Sequence, residues 1–150
     1  MSVIVSPTQI GDALEHYIGI LPQSATVSGT PINGTGIDRV SGDAGAPYES
    51  CDLVAELGTP GGTATSRSVV YNLQHSATQG SGYANYIDPF TGLNPTVTLT
   101  NVNSIGRVKV NLKGALQYIR VVCTPTFTTE TSEQIAAVLV LGGSALSPTP

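Results

Sequence analysis

The feature that most constrains this chain is a two-residue alternation between residues 116 and 125, which read LQYIRVVCTP. Ile119, Val121 and Cys123 fall on one side of an extended chain, and Tyr, Arg, Val and Thr side chains fall on the other. β-branched and aromatic residues in this pattern favour a pleated strand. We therefore predict a strand whose first face points into a core. Its pairing should stop at Pro125, which has no N–H to donate.

Five further stretches carry strand patterns. Residues 51–57 (CDLVAEL) and 67–76 (RSVVYNLQHS) alternate apolar with polar side chains, which is typical of half-buried strands. Residues 135–141 (IAAVLVL) are apolar throughout, as expected for a strand that is covered on both faces. Residues 96–101 and 106–112 are predicted to pair as an antiparallel hairpin, because four residues join them.

These strands predict an all-β fold, an antiparallel, jelly-roll-like β-sandwich with an N-terminal arm. A length of 150 residues suits one domain with a real core, and 17 glycines and 10 prolines suit many turns. We divide the chain into an arm, residues 1–22, and a single sandwich domain, residues 23–150. Residues 22–50 are rich in Gly, Ser, Thr and Pro, which predicts a loop that packs on a partner.

Residues 12–21 (DALEHYIGIL) fit either a short helix that is capped near Asp12 or an extended arm. Gly19 weakens the helix, and Pro22 ends it. The apolar side chains of residues 1–22 are too many for a free tail and too irregular for a stable lone helix. We therefore expect a neighbouring subunit or another protein to cover them. The predicted contact residues of the arm are Val3, Ile4, Val5, Ile10, Leu14, Tyr17 and Ile18.

A loop between residues 79 and 94 gathers Tyr83, Tyr86 and Phe90. Exposed aromatic side chains of a loop often form binding contacts. Packing over the open end of the sandwich is the alternative. We add these three residues to the predicted interface.

Charged residues make up 11% of the chain, against roughly 25% in ordinary soluble domains. A surface so poor in charge often lies against partners. The net charge of −4 argues against a nucleic-acid partner, which calls for a basic patch. Residues 1–60 hold seven acids and one base, and residues 61–150 hold five bases and three acids. This asymmetry would orient the two parts against each other or a neighbouring subunit, unless both are simply solvated.

No secretory signal is visible at the start, and no apolar run approaches the roughly 18 residues of a membrane span. We therefore expect synthesis in the cytoplasm and no membrane partner. Cys51 and Cys123 should be reduced there and buried as free thiols.

Catalytic patterns are missing. The sequence has no GxSxG elbow and no GxxxxGK[ST] phosphate loop, and its two cysteines and two histidines lie far apart. His16 lies near Asp12 and Glu15, but one histidine with two acids fits a solvated or interface position better than a metal site. His75 ends an apolar strand face, which indicates a hydrogen-bonded rim residue. We predict no enzyme activity, no cofactor and no metal site.

Three segments carry a resemblance to a known family: Tyr71–Ser76, Leu116–Val122 and Ala136–Gly143, the last close to a proline-bearing terminus. In their residue sequences and their order along the chain, these three segments resemble segments of the small virion proteins of tailed phages that are encoded near the major capsid gene. The likeness covers residues 67–148. It implies a capsid decoration (cement) protein, a β-sandwich that is commonly trimeric and seated on local threefold positions of the shell. No functional residue carries over from that family.

Two functions follow as expectations. The first is a structural virion protein on the capsid surface that binds the major capsid protein between capsomers as a homotrimer. The second is a glycan- or receptor-binding module of a phage head or tail fibre, with Tyr83, Tyr86 and Phe90 as its stacking surface.

Overall fold

The computed structural model describes residues 14–40, 47–63, 66–129 and 132–144. Within these ranges the secondary structure consists of strands and turns, without a helix. The strands are β1 (Leu14–Ala25), β2 (Ile32–Asn33), β3 (Ile37–Asp38), β4 (Tyr48–Leu57), β5 (Ser66–Ser76), β6 (Ala84–Asn85), β7 (Thr96–Leu99), β8 (Ser104–Asn111), β9 (Tyr118–Thr128) and β10 (Glu133–Ser144).

The strands form two antiparallel sheets. The first sheet has the order β1-β10-β4-β8, and the second has the order β2-β9-β5-β6, in which β3 also pairs with β9 and β7 with β5. Along the chain the path passes from one sheet to the other six times, because β2 and β3 are consecutive in the second sheet and so are β5, β6 and β7. This is the connectivity of a jelly roll. The predicted fold class, an all-β antiparallel sandwich, is confirmed.

Alternate residues of the four long inner strands form the core. Ile119, Val121 and Cys123 are fully buried, as their alternation predicts. Leu53 of β4 and Leu139 of β10 meet them from the first sheet. The core is therefore a two-layer apolar interior between the sheets.

The predicted hairpin of residues 96–101 and 106–112 is wrong. β7 pairs with β5 in the second sheet, and β8 pairs with β4 in the first. The turn between them, which includes Asn103 with φ of 50°, carries the chain from one sheet to the other. Both strands bury their apolar side chains in the same core from opposite sides, so the alternation of each is correct although the pairing is not.

The expected end of pairing at Pro125 is also wrong, because β9 pairs with β5 as far as Thr128. The carbonyl of Pro125 accepts a hydrogen bond of 2.7 Å from the Gly29 amide, on the side away from β5. In a strand, the N–H of a residue points the same way as its carbonyl. The donor that proline lacks would therefore point away from β5, and the ladder between β5 and β9 loses nothing.

The predicted arm is partly a core element. Residues 14–22 belong to β1, the edge strand of the first sheet, which pairs with β10 from Leu14 to Ala25 with two register shifts around Ile20. Ile20 is buried. β1 continues through residue 22 to Ala25, so the helical alternative for residues 14–21 is wrong. Residues 1–13, with Val3, Ile4, Val5 and Ile10, lie outside the described residues, and their role stays a prediction.

The segment after β2 crosses the edge of β1 at two glycines. The Gly34 amide donates 2.8 Å to the Val121 carbonyl. A Cβ atom on Gly34 would lie 1.9 Å from the Gly19 carbonyl oxygen and 3.0 Å from that of Val121. Both neighbours are backbone atoms, so neither can rotate away. The absence of a side chain at residue 34 is what lets the two sheets close along this edge.

We expect Gly34→Ala to lower the free energy of unfolding by about 2–3 kcal/mol, since the added methyl group must push the β1 edge away. Gly80→Ala is the matched control, because a Cβ atom there meets nothing within 4 Å. The control should unfold within about 0.5 kcal/mol of the wild type. Urea denaturation of the three proteins measures both values, and equal midpoints would contradict the close approach.

Candidate functional site

Among the described residues, the side chains that could act as nucleophiles or metal ligands do not come together in one site. Cys51 and Cys123 are free and buried, as predicted. Burial raises the pKa of each thiol to about 12, so both stay protonated and unreactive. Among the described residues, no group of three His, Cys, Asp or Glu side chains is placed to hold a metal ion.

His75 is held in place by contacts within the fold. Its Nδ1 atom accepts a 3.2 Å hydrogen bond from the Leu116 amide, and its ring meets the Tyr86 ring edge-on with 5.2 Å between centroids. Burial lowers the pKa of His75, and the positive charge of Arg39 lowers it further. His75 is thus the hydrogen-bonded rim residue that its sequence position indicates. His16 is exposed on β1, opposite Val140.

We expect His75 to make the protein less stable as the pH falls below about 6.5. With its folded-state pKa lowered, the unfolded chain binds more protons in this range, so the free energy of unfolding decreases toward lower pH. Urea titrations at pH 7.5 and 5 should show a smaller decrease for His75→Asn, whose side-chain oxygen can accept from Leu116. The control, His16→Gln, should keep the full wild-type decrease. An unchanged pH dependence in His75→Asn would contradict this assignment.

The three aromatic residues predicted to form one stacking surface have different settings. Tyr86 is buried, and its hydroxyl donates to the Asn111 carbonyl. Tyr83 is half-buried, its hydroxyl donates 2.7 Å to the Gln79 carbonyl, and the Arg120 guanidinium lies 4.0 Å from its ring centroid. Phe90 is 86% exposed. The joint surface is therefore wrong: Tyr86 packs into the sandwich, and only Phe90 presents a free ring.

A buried aspartate holds the Phe90 loop in place. Asp88 Oδ1 accepts from the Phe90 amide at 2.7 Å, and Oδ2 accepts from the Asn111 amide at 2.9 Å. The Asp88 carbonyl also accepts from the Gly92 amide at 2.8 Å. These bonds tie the loop of the second sheet to β8 at the edge of the first, so Phe90 is held outward by a fixed turn.

Phe90 borders a cleft with a volume of about 700 Å³. The cleft lies where β1 begins and β10 ends, so Leu14, Val140 and Gly142 line it. Lys109 and Asp52 lie on the same wall. The Lys113 ammonium is 3.7 Å from the Glu49 carboxylate, and Arg107 pairs with Asp52. The result is a largely apolar groove with paired charges at its border.

Exposed apolar side chains extend beyond the cleft. Leu21 is 63% exposed on β1, and Leu93 is 69% exposed beside Phe90. Of the other predicted contact residues on β1, Ile18 is 56% exposed, Leu14 is half-buried and Tyr17 packs against the core. The structure thus places Leu14 and Ile18, but not Tyr17, on an outer surface.

Three buried charged residues, Arg39, Asp88 and Glu133, escaped the sequence analysis. Arg39 binds three backbone carbonyls, and Glu133 pairs with Arg67 between the sheets. The one available signal was that Arg39 is the only base among the first sixty residues.

Comparisons of sequence leave the family open, because no family model matches this chain and no curated protein does. The resemblance to phage virion proteins therefore stays a prediction. In the described part of the chain, no helix is long and apolar enough to cross a membrane.

Solved structures match this chain at low similarity. The structure of infectious bursal disease virus Gx strain matches with a TM-score of 0.47 and 10% identity, over 91% of this chain and 33% of that one. This chain therefore spans about a third of that protein. The SPBc2 prophage-derived protein YomS matches with a TM-score of 0.41 and 10% identity, over 94% of this chain and 100% of the other.

A family 11 carbohydrate-binding module from Clostridium thermocellum, in complex with a mixed-linked tetrasaccharide, matches with a TM-score of 0.37 and 9% identity. The match covers 88% of this chain and 89% of the module. All three TM-scores are below 0.5, and all three identities are 10% or less.

Proposed function

We propose that this protein is a structural virion protein that decorates a phage capsid, binds the outer shell between capsomers and stabilises it. The proposed partner is the major capsid protein. The proposed state is a homotrimer on the capsid surface, formed after synthesis in the host cytoplasm. The role requires no catalysis, cofactor, nucleic acid or membrane.

One observation carries this proposal: large apolar side chains stand exposed on a surface that is poor in charge. Leu21, Phe90 and Leu93 are each more than 60% exposed, and charged residues are only 11% of the chain. Large exposed apolar side chains on a charge-poor surface are typical of surfaces that bind other proteins. The virion-protein resemblance of residues 67–148 supports the same partner class.

Stabilisation would follow from binding that depends on assembly. A protein that contacts neighbouring capsomers together binds the assembled shell and not its separate subunits, so it shifts the equilibrium toward the shell. Several modest contacts per trimer add up, because the second and third are made at high effective concentration. Such a protein needs no reactive group.

The test is to heat purified shells with and without this protein and to record the temperature at which they break. We expect the decorated shells to break at a higher temperature. Equal temperatures would reject the proposal. The mass of the isolated protein in solution is the second measurement, because a trimer supports the proposed state and a monomer contradicts it.

Single substitutions test whether the exposed apolar side chains make the contact with the shell. Leu21→Lys and Leu93→Lys should weaken shell binding by roughly tenfold or more each, as expected when an apolar contact gains a charge. Thr98→Lys is the matched control, since Thr98 is exposed on β7 at the other sheet. If the control weakens binding as much as the two leucine variants, the exposed apolar groups are not the contact surface.

A second candidate function rests on Phe90. Its exposed ring borders a cleft of about 700 Å³, a size and character that suit a small ligand such as a glycan. A glycan array with the full chain tests this reading. Binding that is lost in Phe90→Ala but kept in Leu93→Ala would favour it over capsid decoration, and an empty array would reject it.

A further inference from the structure

The centre of the outer face of the first sheet is apolar, where a solvent-facing sheet is usually polar. Asp52 of β4 and Arg107 and Lys109 of β8 border this apolar centre. Ile18, Val138 and Val54 lie side by side in register across β1, β10 and β4. The two valines are half-buried, and Ile18 is exposed. Val140 and Ala136 extend the row along β10, and both are half-buried as well. β10 thus has the apolar outer face of a strand that is covered on both sides, although only its inner face is covered by the described residues.

The second sheet shows the contrast. On its outer face Arg120 donates to the Gln74 amide oxygen at 3.0 and 2.8 Å. The amides of Asn72 and Gln74 donate to Asn85 at 3.1 and 3.2 Å. This face is satisfied by its own polar groups and is suited to water. The apolar row of Ile18, Val138 and Val54 on the first sheet offers no side-chain hydrogen bonds of this kind.

The chain itself contains a segment with the right position, length and chemistry. Leu14, the first residue of β1, lines the cleft at one end of the apolar face. Thirteen residues precede it, with Val3, Ile4, Val5 and Ile10 and a single charge at Asp12. Extended, thirteen residues reach roughly 40 Å. The four strands of the sheet span only about 15 Å.

We infer that residues 1–13 of this chain cover the outer face of the first sheet, with Val3, Ile4 and Val5 against the row formed by Ile18, Val138 and Val54. This inference concerns the isolated protein and does not depend on shell binding. Its failure and the failure of capsid decoration are therefore separate results.

Paired cysteines in the full chain test it directly. Ile4→Cys combined with Val138→Cys places two thiols together if the inference holds. Ile4→Cys combined with Asn72→Cys places the second thiol on the outer face of the second sheet and is the matched control. Cys51 and Cys123 are buried and add little background.

Under mild oxidation we expect the Val138 pair to form a disulfide in a yield at least about tenfold higher than the Asn72 pair, because a docked segment raises the local thiol concentration. A bond within one copy supports the inference, whereas a bond formed only between copies would assign the cover to a second copy and would overturn it. Non-reducing electrophoresis tells the two products apart. Equal yields of the two pairs would overturn it.

Hydrogen exchange provides a second measurement that needs no cysteine. Val138→Lys should raise the amide exchange rates of residues 2–10 by about tenfold, since the lysine displaces the segment. Asn72→Lys should leave these rates unchanged. Rates that are equal in the wild type and in Val138→Lys would also overturn the inference.

Discussion

Replacing Arg39 with Met is expected to lower the free energy of unfolding by about 3–4 kcal/mol, because three buried carbonyls lose a charged donor. Arg39 is buried. Its Nε donates 2.9 Å to the Leu116 carbonyl, one Nη donates 2.9 Å to that of Tyr48, and the other donates to that of Ala115. One guanidinium therefore joins the turn before β9 to the start of β4.

The physical reason lies in the geometry of the guanidinium. Its planar fork reaches three acceptors at once, whereas Met can fill the volume but offers no N–H. Burial lowers the pKa of Arg39, and the nearby Tyr86, Glu49 and Asp38 oppose this shift. The three carbonyl dipoles also compensate the buried charge.

Arg107→Met is the matched control, because it removes an arginine of the same size from the surface. Arg107 pairs with Asp52, but its side chain is 62% exposed, and such pairs contribute less than about 1 kcal/mol. Urea denaturation of both variants at neutral pH measures the difference. If the two variants unfold at the same midpoint, the Arg39 bonds do not stabilise the fold as argued.

The second large effect concerns Arg67 and Glu133. The Arg67 Nε lies 2.7 Å from Glu133 Oε1, and the side chains are 11% and 0% exposed. Arg67 belongs to β5 and Glu133 to β10, so the pair joins the two sheets inside the sandwich. Arg67→Met should lower the free energy of unfolding by roughly 3–5 kcal/mol, because the fully buried carboxylate loses its guanidinium partner.

The double variant, Arg67→Met with Glu133→Leu, should recover most of this loss. An apolar pair of similar volume avoids burying a charge, and such replacements are often neutral or stabilising. Lys113→Met is the surface control, because the pair with Glu49 is exposed and should contribute less than about 1 kcal/mol. A double variant as unstable as Arg67→Met alone would show that the ion pair is not the cause.

The inward faces of the long strands were predictable because alternation is a local property. Each of the stretches around Leu53, Tyr71 and Val121 places every second side chain, which is apolar, on one side of an extended chain, whatever its neighbours are. The fold class followed, since six such stretches with few helical signals leave a sandwich as the compact solution. The buried thiols and the setting of His75 were predictable for the same reason.

The pairing of the strands was not predictable in this way. Residues 96–99 and 104–111 are adjacent in sequence and both alternate, yet they belong to opposite sheets. Two short strands with one apolar face each can bury those faces as a hairpin or across a core, and the choice depends on the strands that flank them. Closure of the whole jelly roll makes that choice.

The candidate surface, too, was predictable from the sequence only in part. The sequence by itself determined that this chain forms a charge-poor β-sandwich with apolar residues left over in the N-terminal part and in the aromatic loop. Only the tertiary structure decided that Leu14–Ala25 is the edge strand of the first sheet. It also decided that Tyr86 is buried while Phe90 is exposed. The burial of Arg39 and Glu133 was likewise decided only there. The reason is distance along the chain: Arg39 meets Leu116, and Arg67 meets Glu133, through contacts that form only when the two sheets close on each other.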